Sequence, residues 1–412
     1  MKRNCLIAQS GGPTATINAT LCGAYTEMAK SPDVGAVYGG INGIQGILEG
    51  RILDLGPILS NEDNLKALSQ TPSSSLGSCR FKLSSPAEKP EEYKRIFDVF
   101  KKNDIGYFIY IGGNDSMDTV QRLNDYAGAM GYDILCAGAP KTVDNDLVIT
   151  DHTPGYGSCA KYLSTVVMES AQDNRVYDME SVFVIEVMGR DTGWIALSAA
   201  LARDSDNTPQ CDLIYTPETI FYVDRYLADV EVARKAKKRV VIVVSEGIRN
   251  QSGVYISDTG EVDAFGHTRL RGAGAVVADL IVKNFGVKVR AAELSILQRC
   301  AAHVVSATDV SESEEIGRHA AKGVLGGLTG KMSYMRRLSE SPYKIEYDYA
   351  DVAKIANAVK RVPDEYINAT RNHITEKGFN YAYPLISGER QMIMKNNVPV
   401  FLNLAAVYAG RK

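Results

Sequence analysis

The residues best suited to chemistry lie in Ala139-Pro140-Lys141-Thr142-Val143-Asp144-Asn145-Asp146, directly after the apolar run Ile134-Leu135-Cys136-Ala137. That run reads as a buried strand, and an open α/β sheet delivers side chains from its strand ends into a crevice. Two carboxylates and a lysine this close together suit a proton transfer beside a polyanion. Asp144 would be the general base, Asp146 a hydrogen-bond acceptor and Lys141 a compact positive charge for phosphate. The same residues would equally make a polar turn, since Asp and Asn hydrogen-bond their own backbone. The octet needs neighbours before it defines a site.

Two other stretches supply them. Cys5 to Ala8 reads as a strand that ends in Gln9-Ser10-Gly11-Gly12-Pro13-Thr14 before a helical pattern from Ala19 to Met28. Tyr107 to Ile111 reads as another, ending in Gly112-Gly113-Asn114-Asp115-Ser116-Met117 before a helix towards Leu123. Strand, glycine turn and helix start form a phosphate cradle, because backbone N–H groups and the helix dipole point at the anion. Asp115 suits a water-rich Mg²⁺, which takes one or two carboxylates plus phosphate oxygens. A serine run at Ser73-Ser74-Ser75 leads to Leu76-Gly77-Ser78-Cys79-Arg80, a loop that carries one arginine.

The second half keeps the rhythm of strand and helix. After a helix from Ala160 to Gln172, the strand Val182 to Val187 ends in Met188-Gly189-Arg190-Asp191-Thr192-Gly193-Trp194, followed by an apolar helix from Ile195 to Ala202. The strand Val240 to Val244 ends in Ser245-Glu246-Gly247, and Arg290 and Arg299 flank the apolar segment that contains Ile296. Guanidinium for phosphate and carboxylate for hydroxyls would suit a phosphorylated polyol, although Arg–Glu pairs also knit strand ends. Gly326 to Met332 looks like a P-loop but has Met332 where Ser or Thr should bind magnesium, and is rejected as one.

Composition bounds the rest. A chain of 412 residues with 45% hydrophobic and 23% charged residues is ordinary for a soluble globular protein of two to three domains. A net charge of -3 gives no reason to expect nucleic acid or an anionic membrane. Seven cysteines without a CxxC pair read as buried free thiols of a reducing compartment, and five histidines without paired spacing argue against a histidine zinc site. The first residues lack a signal peptide's pattern and no apolar run reaches membrane-spanning length, so a cytoplasmic protein is expected. GxGxxG is absent, which counts against a nicotinamide-dependent dehydrogenase. From Tyr343 to Lys412 the chain is rich in Tyr, Asn and Lys, holds a short helical pattern around Val352 to Val362, and reads as an appendage.

The ordered set Gly11-Gly12-Pro13-Thr14, Leu76 to Arg80, Gly112 to Ser116, Pro140 to Asp146, Met188-Gly189-Arg190, Glu246-Gly247 and Gln298-Arg299 resembles the phosphofructokinase family, specifically its diphosphate-dependent branch. The resemblance spans roughly residues 3 to 335. It implies an α/β protein of two Rossmann-like lobes with mainly parallel sheets and the active site in the crevice between them. Residues 1–155 with about 298–345 would form the donor-binding lobe, 156–297 the sugar-phosphate lobe, and 346–412 a C-terminal extension packed on both.

The implied reaction is reversible transfer of phosphoryl from inorganic diphosphate to the 1-hydroxyl of fructose 6-phosphate, giving fructose 1,6-bisphosphate. By motif matching, Asp144 takes the hydroxyl proton, and Thr142, Val143 and Asp146 orient the sugar and the catalytic loop. Met188, Gly189 and Arg190 line the sugar site, Glu246 accepts from sugar hydroxyls, and Arg290, Ile296 and Arg299 match positions around the 6-phosphate. Gly12, Arg80 and Lys141 contact the donor or the transferred phosphate, and Asn114 with Asp115 sits where Mg²⁺ is bound. The resemblance also implies a homodimer or homotetramer.

ATP-dependent relatives have glycines at the positions of Asp115 and Lys141. Here a carboxylate would meet the ATP α-phosphate while the lysine holds a short, densely charged diphosphate. An ATP-dependent kinase and a non-catalytic regulatory subunit are the rival readings, the latter opposed by the presence of Asp144. Departures from the family pattern are Asn114 in place of aspartate, Ser181 in place of an arginine, and Ile296 in place of histidine or tyrosine. Cys22 and Thr26 replace effector-binding arginines, which predicts no strong nucleotide control.

Overall fold

In the computed structural model, which describes residues 2–262, 268–270 and 272–411, the strands sort into two main sheets. The larger takes in β1 (Arg3–Gln9), β2 (Val34–Gly40), β3 (Ile52–Asp54), β4 (Ile105–Gly112) and β5 (Leu135–Pro140). The smaller takes in β6 (Ser181–Val187), β7 (Leu213–Tyr215) and β8 (Arg239–Ser245). Beyond a separate ribbon of β9 (Asp258–Val262) and β10 (Thr268–Leu270), β11 (Lys288–Glu293) joins the smaller sheet, and β12 (Lys331–Glu340) and β13 (Tyr343–Asp351) join the larger.

The orders are β13-β12-β5-β4-β1-β2-β3 and β11-β6-β8-β7. All pairs in the smaller sheet are parallel, and the larger is parallel except at its two outer pairs, β2–β3 and β12–β13. Cys5, Leu6, Ile7 and Ala8 of β1 are fully buried because helices cover both faces, which is why the strand reads as an unbroken apolar run. Helix Pro90–Lys102 shows the complementary pattern: it buries Tyr93, Ile96, Phe97 and Phe100, one stripe at helical spacing, and places Glu91 and Glu92 in its first turn.

Two mainly parallel sheets flanked by helices agree with the expected fold. The C-terminal third differs. The expected lobe boundary at 345/346 falls inside β13, which pairs with β12 from Lys331↔Asp351 to Glu340↔Tyr343, so the larger lobe runs on to Asp351. Residues Val352 to Val362 form no continuous helix. A 3₁₀ turn at Val352–Lys354 gives way to Asn357 in the left-handed region at φ 63°, and the Lys360 amide bonds to Asp146 O instead of the preceding turn. The rejected P-loop look-alike leads into β12 and not into a helix. Beyond it, Tyr366 and Tyr381 pack with Trp194 at centroid distances of 6.1 and 5.1 Å, and Tyr381 Oη donates to Asp151 O at 2.7 Å, so the tail is packed against the body of the chain.

Candidate active site at the strand ends

The C-terminal ends of β1, β4 and β5 open side by side into one cavity of about 500 Å³, closed on its far side by the loops after β6 and β8. On the near side, Gly11 holds φ 74°, a left-handed conformation that favours glycine, and its N–H donates to Cys79 O at 3.2 Å. Ser78 Oγ donates to Gly11 O at 2.7 Å, which ties the Arg80 loop to the first glycine turn. Lys141 is 1% exposed, and its Nζ donates to Gly12 O at 2.5 Å beneath that turn. Burial pulls its ammonium down to about 8, with the Asp144 and Asp146 charges opposing the shift. Asp115, exposed in the cavity, opens the first turn of helix Asn114–Met130, where the dipole favours an anion.

Asp144 stands at the centre. Its N–H donates to Thr142 Oγ1 at 3.1 Å, and Thr192 Oγ1 donates to its carbonyl at 3.2 Å, so both lobes hold one loop. Burial raises its carboxyl above the ordinary value, while the Lys141 charge, the Thr142 hydroxyl and Arg299 oppose the rise. Burial, with the Asp144 charge next, pushes the Asp146 carboxyl up to about 6. Two carboxylates raised by burial beside one lysine suit proton transfer next to a polyanion.

The far wall is more open. Gly189 sits at φ 123°, and a Cβ there would approach Thr192 O to 2.5 Å, so the turn that presents Arg190 needs glycine. Met188 N donates to Gln298 Oε1 at 3.2 Å. Arg190 lies 3.7 Å from Glu246, with 68% of its side chain exposed. Burial raises the Glu246 carboxyl, and Arg190 opposes this. Arg299 reaches across from the far wall, its guanidinium 3.4 Å from where a Cβ on Gly12 would lie.

Gly12, Arg80, Asn114, Asp115, Lys141, Thr142, Val143, Asp144, Asp146, Met188, Gly189, Arg190, Glu246 and Arg299 thus share one cavity. Arg290 and Ile296 do not. Arg290 sits three residues before the end of β11, below the rim where its neighbours emerge, and its Nη1 pairs with Asp173 at 2.9 Å in a separate depression. Ile296 is 56% exposed outside the cavity. Neither residue, expected around the 6-phosphate, lines the cavity of this single chain. Ser10 and Ser116, whose hydroxyls share a short hydrogen bond between the two glycine turns, and Thr192 were not singled out. Each stood inside a motif, but a hydroxyl in a turn carries no signal of its partner.

Asn114 Oδ1 is buried without a hydrogen-bond partner, next to the Asp115 carboxylate. Among the described residues no group of three or more His, Cys, Asp or Glu could form a closed cage. One carboxylate and one free carbonyl fit an ion that completes its shell with water and phosphate oxygens.

Glycine turns over a buried ammonium, beside two half-buried carboxylates at the ends of a parallel sheet, suit a phosphotransferase. The chain belongs to the phosphofructokinase family, whose model matches residues 4–324. It is 40% identical over 413 residues, 100% of this chain and 98% of the relative, to the pyrophosphate–fructose 6-phosphate 1-phosphotransferase of Methylococcus capsulatus. It is 39% identical over 414 residues, 100% of this chain and 98% of the relative, to the protein of that name from Halomonas elongata. The crystal structure of a pyrophosphate-dependent phosphofructokinase from Nitrosospira multiformis superposes with a TM-score of 0.87 at 34% identity, covering 97% of this chain and 96% of that one.

Proposed function

We propose that this protein transfers a phosphoryl group reversibly from inorganic diphosphate to the 1-hydroxyl of fructose 6-phosphate, giving fructose 1,6-bisphosphate and phosphate. The observation that carries the reading is the pairing, in one cavity, of the Asp144 base with a donor side that holds both a carboxylate, Asp115, and a buried ammonium, Lys141. The names of the full-length relatives support it. Phosphoryl transfer needs mainly positioning and neutralisation of oxygen charge, and this cavity offers both.

The steps follow from the side chains. Diphosphate lies on the Gly11-Gly12 and Gly113 turns, with Lys141 and Arg80 answering its charge. Asn114 and Asp115 would hold Mg²⁺, which supplies further neutralisation of the phosphate oxygens. Arg190, Glu246 and Arg299 hold the sugar phosphate so that its 1-hydroxyl faces Asp144, whose carboxylate takes the proton as the oxygen attacks phosphorus. In the reverse direction the protonated Asp144 returns it. Asp115 stands in the way of a nucleoside triphosphate's α-phosphate, and like charges there select against ATP.

Five buried free cysteines, Cys5, Cys22, Cys136, Cys159 and Cys211, support a reducing, cytoplasmic setting. The position of Arg290 outside this chain's own cavity supports a homodimer or homotetramer in which that residue serves a neighbour. The test is phosphorus NMR of the protein with magnesium, diphosphate and fructose 6-phosphate. A 1-phosphate signal should grow in step with inorganic phosphate; release of phosphate without sugar phosphorylation would reject the reading.

A further inference from the structure

The segment Ala358–Val362 contributes no residue to the cavity, yet it bonds to two of the turns that do and shares Glu218 with a third. Ala358 O accepts from Asn114 Nδ2 at 2.8 Å, at the start of the helix that carries Asp115. The Lys360 N–H donates to Asp146 O at 2.7 Å. Lys360 Nζ donates to Asn145 Oδ1 and Thr150 O at 3.2 Å and to Asp151 O at 2.7 Å, three oxygens for the three hydrogens of an ammonium. Its carbonyl accepts from Trp194 Nε1 at 2.8 Å, and the ammonium lies 5.1 Å from the Trp194 ring centroid. Val362 N donates at 3.1 Å to Glu218 Oε1, which also accepts at 2.9 Å from the N–H of Gly193, in the loop after β6.

We propose that Ala358–Val362 is a strap that positions the Asn114 turn, the Thr142–Asp146 loop and the Gly189–Gly193 loop for phosphoryl transfer, with Lys360 as its positioning residue. The proposal rests on the function read above. The Asp146 and Asn145 loop is a sharp one, with Asn145 at φ 52°, and an ammonium beneath it holds the turn closed while Asp144 points into the cavity. The strap also assigns a role to the asparagine at 114. Its amide is committed to Ala358 O, which leaves Oδ1 as the free acceptor; an aspartate there would face a carbonyl with no hydrogen to offer.

Two measurements test it. Lys360→Met keeps the stem over Trp194 and removes the ammonium, and its kcat should fall by about a hundredfold, while KM for fructose 6-phosphate and for diphosphate stays within about threefold. A kcat within twofold of wild type, or a loss that follows only from a lowered folded fraction, would overturn the proposal. Independently of any variant, hydrogen exchange at the Lys360 and Val362 amides of the wild type should slow by about tenfold or more when fructose 6-phosphate or diphosphate is added alone, since ordering the loops orders the strap. No change with either ligand would also overturn it. Normal wild-type turnover with unchanged exchange rejects the strap alone. Absent turnover with slowed exchange rejects the function alone.

Discussion

The two walls of the cavity are built differently. On the donor side Lys141 is fully enclosed, the two glycine turns are bonded to each other through Ser10 and Ser116, and the Arg80 loop is bonded to the first through Ser78 and Cys79. On the sugar side Arg190 is exposed and held by one long contact to Glu246, and Arg290 faces elsewhere. The difference teaches where the fixed charge resides. A wall of parallel strand ends at the middle of a sheet is preorganised for a small polyanion, whereas the opposite wall leaves Arg190 less constrained.

The sharpest way to break that contrast is at the central base. Asp144→Asn keeps shape and hydrogen bonding but cannot take a proton, and kcat should fall by about a thousandfold with KM values little changed. A fall of less than tenfold would mean that another group serves as base. Next is the fixed wall: Lys141→Met should lower kcat/KM for diphosphate by about a hundredfold and leave KM for fructose 6-phosphate nearly untouched, as steady-state kinetics in both substrates will show. On the adaptable wall, Arg190→Ala should raise KM for fructose 6-phosphate about tenfold, an effect that belongs to a contact formed only with ligand. If Arg190→Ala proved as costly as Lys141→Met, the contrast between walls would fail.

The pH dependence follows from the same groups. The base must be ionised, and burial raises the Asp144 carboxyl, so activity should be lost as pH falls through a range above the ordinary carboxylate value. The donor cation must be protonated, so kcat/KM should be lost as pH rises through about 8, where Lys141 discharges. Bound diphosphate favours the ammonium, and the alkaline limb of kcat should therefore lie higher than that of kcat/KM.

The smallest expected effect is on stability. His152 is buried between Asp151 and Glu312 at 2.8 and 2.7 Å. Burial opposes its charge, but the two carboxylates win and raise its pKa to about 9 from an ordinary 6.5. A raised folded value means that the stabilisation is fully present below 6.5 and is lost as pH rises through 9, so Tm should drop by a few degrees across that window. His152→Gln should flatten the slope.

Much of this site was legible in the sequence because the donor wall is local. An apolar run, then glycine, then a hydroxyl and a helix start follow one another closely at β1 and β4, and the Lys141–Asp146 stretch directly follows the apolar run of β5. The hairpin β12–β13 was hidden because both of its strands are mostly half-exposed, and Arg336, Arg337, Glu346 and Asp348 break the apolar pattern. Lys360 was hidden for a different reason. It stands alone between Val359 and Arg361, and nothing local indicates that it lies under a loop 215 positions away. Arg290 was placed by motif order, but order does not record how far down a strand a residue lies.

Asp115 and Lys141 together would select diphosphate as the donor. The most direct measurement compares initial rates with fructose 6-phosphate and magnesium, using diphosphate or ATP as donor, for the wild type and for Asp115→Gly. Turnover of the wild type with diphosphate alone, and a measurable gain of ATP use in the variant, is the predicted result. Turnover of the wild type with ATP and not with diphosphate would contradict it and make the chain an ATP-dependent kinase.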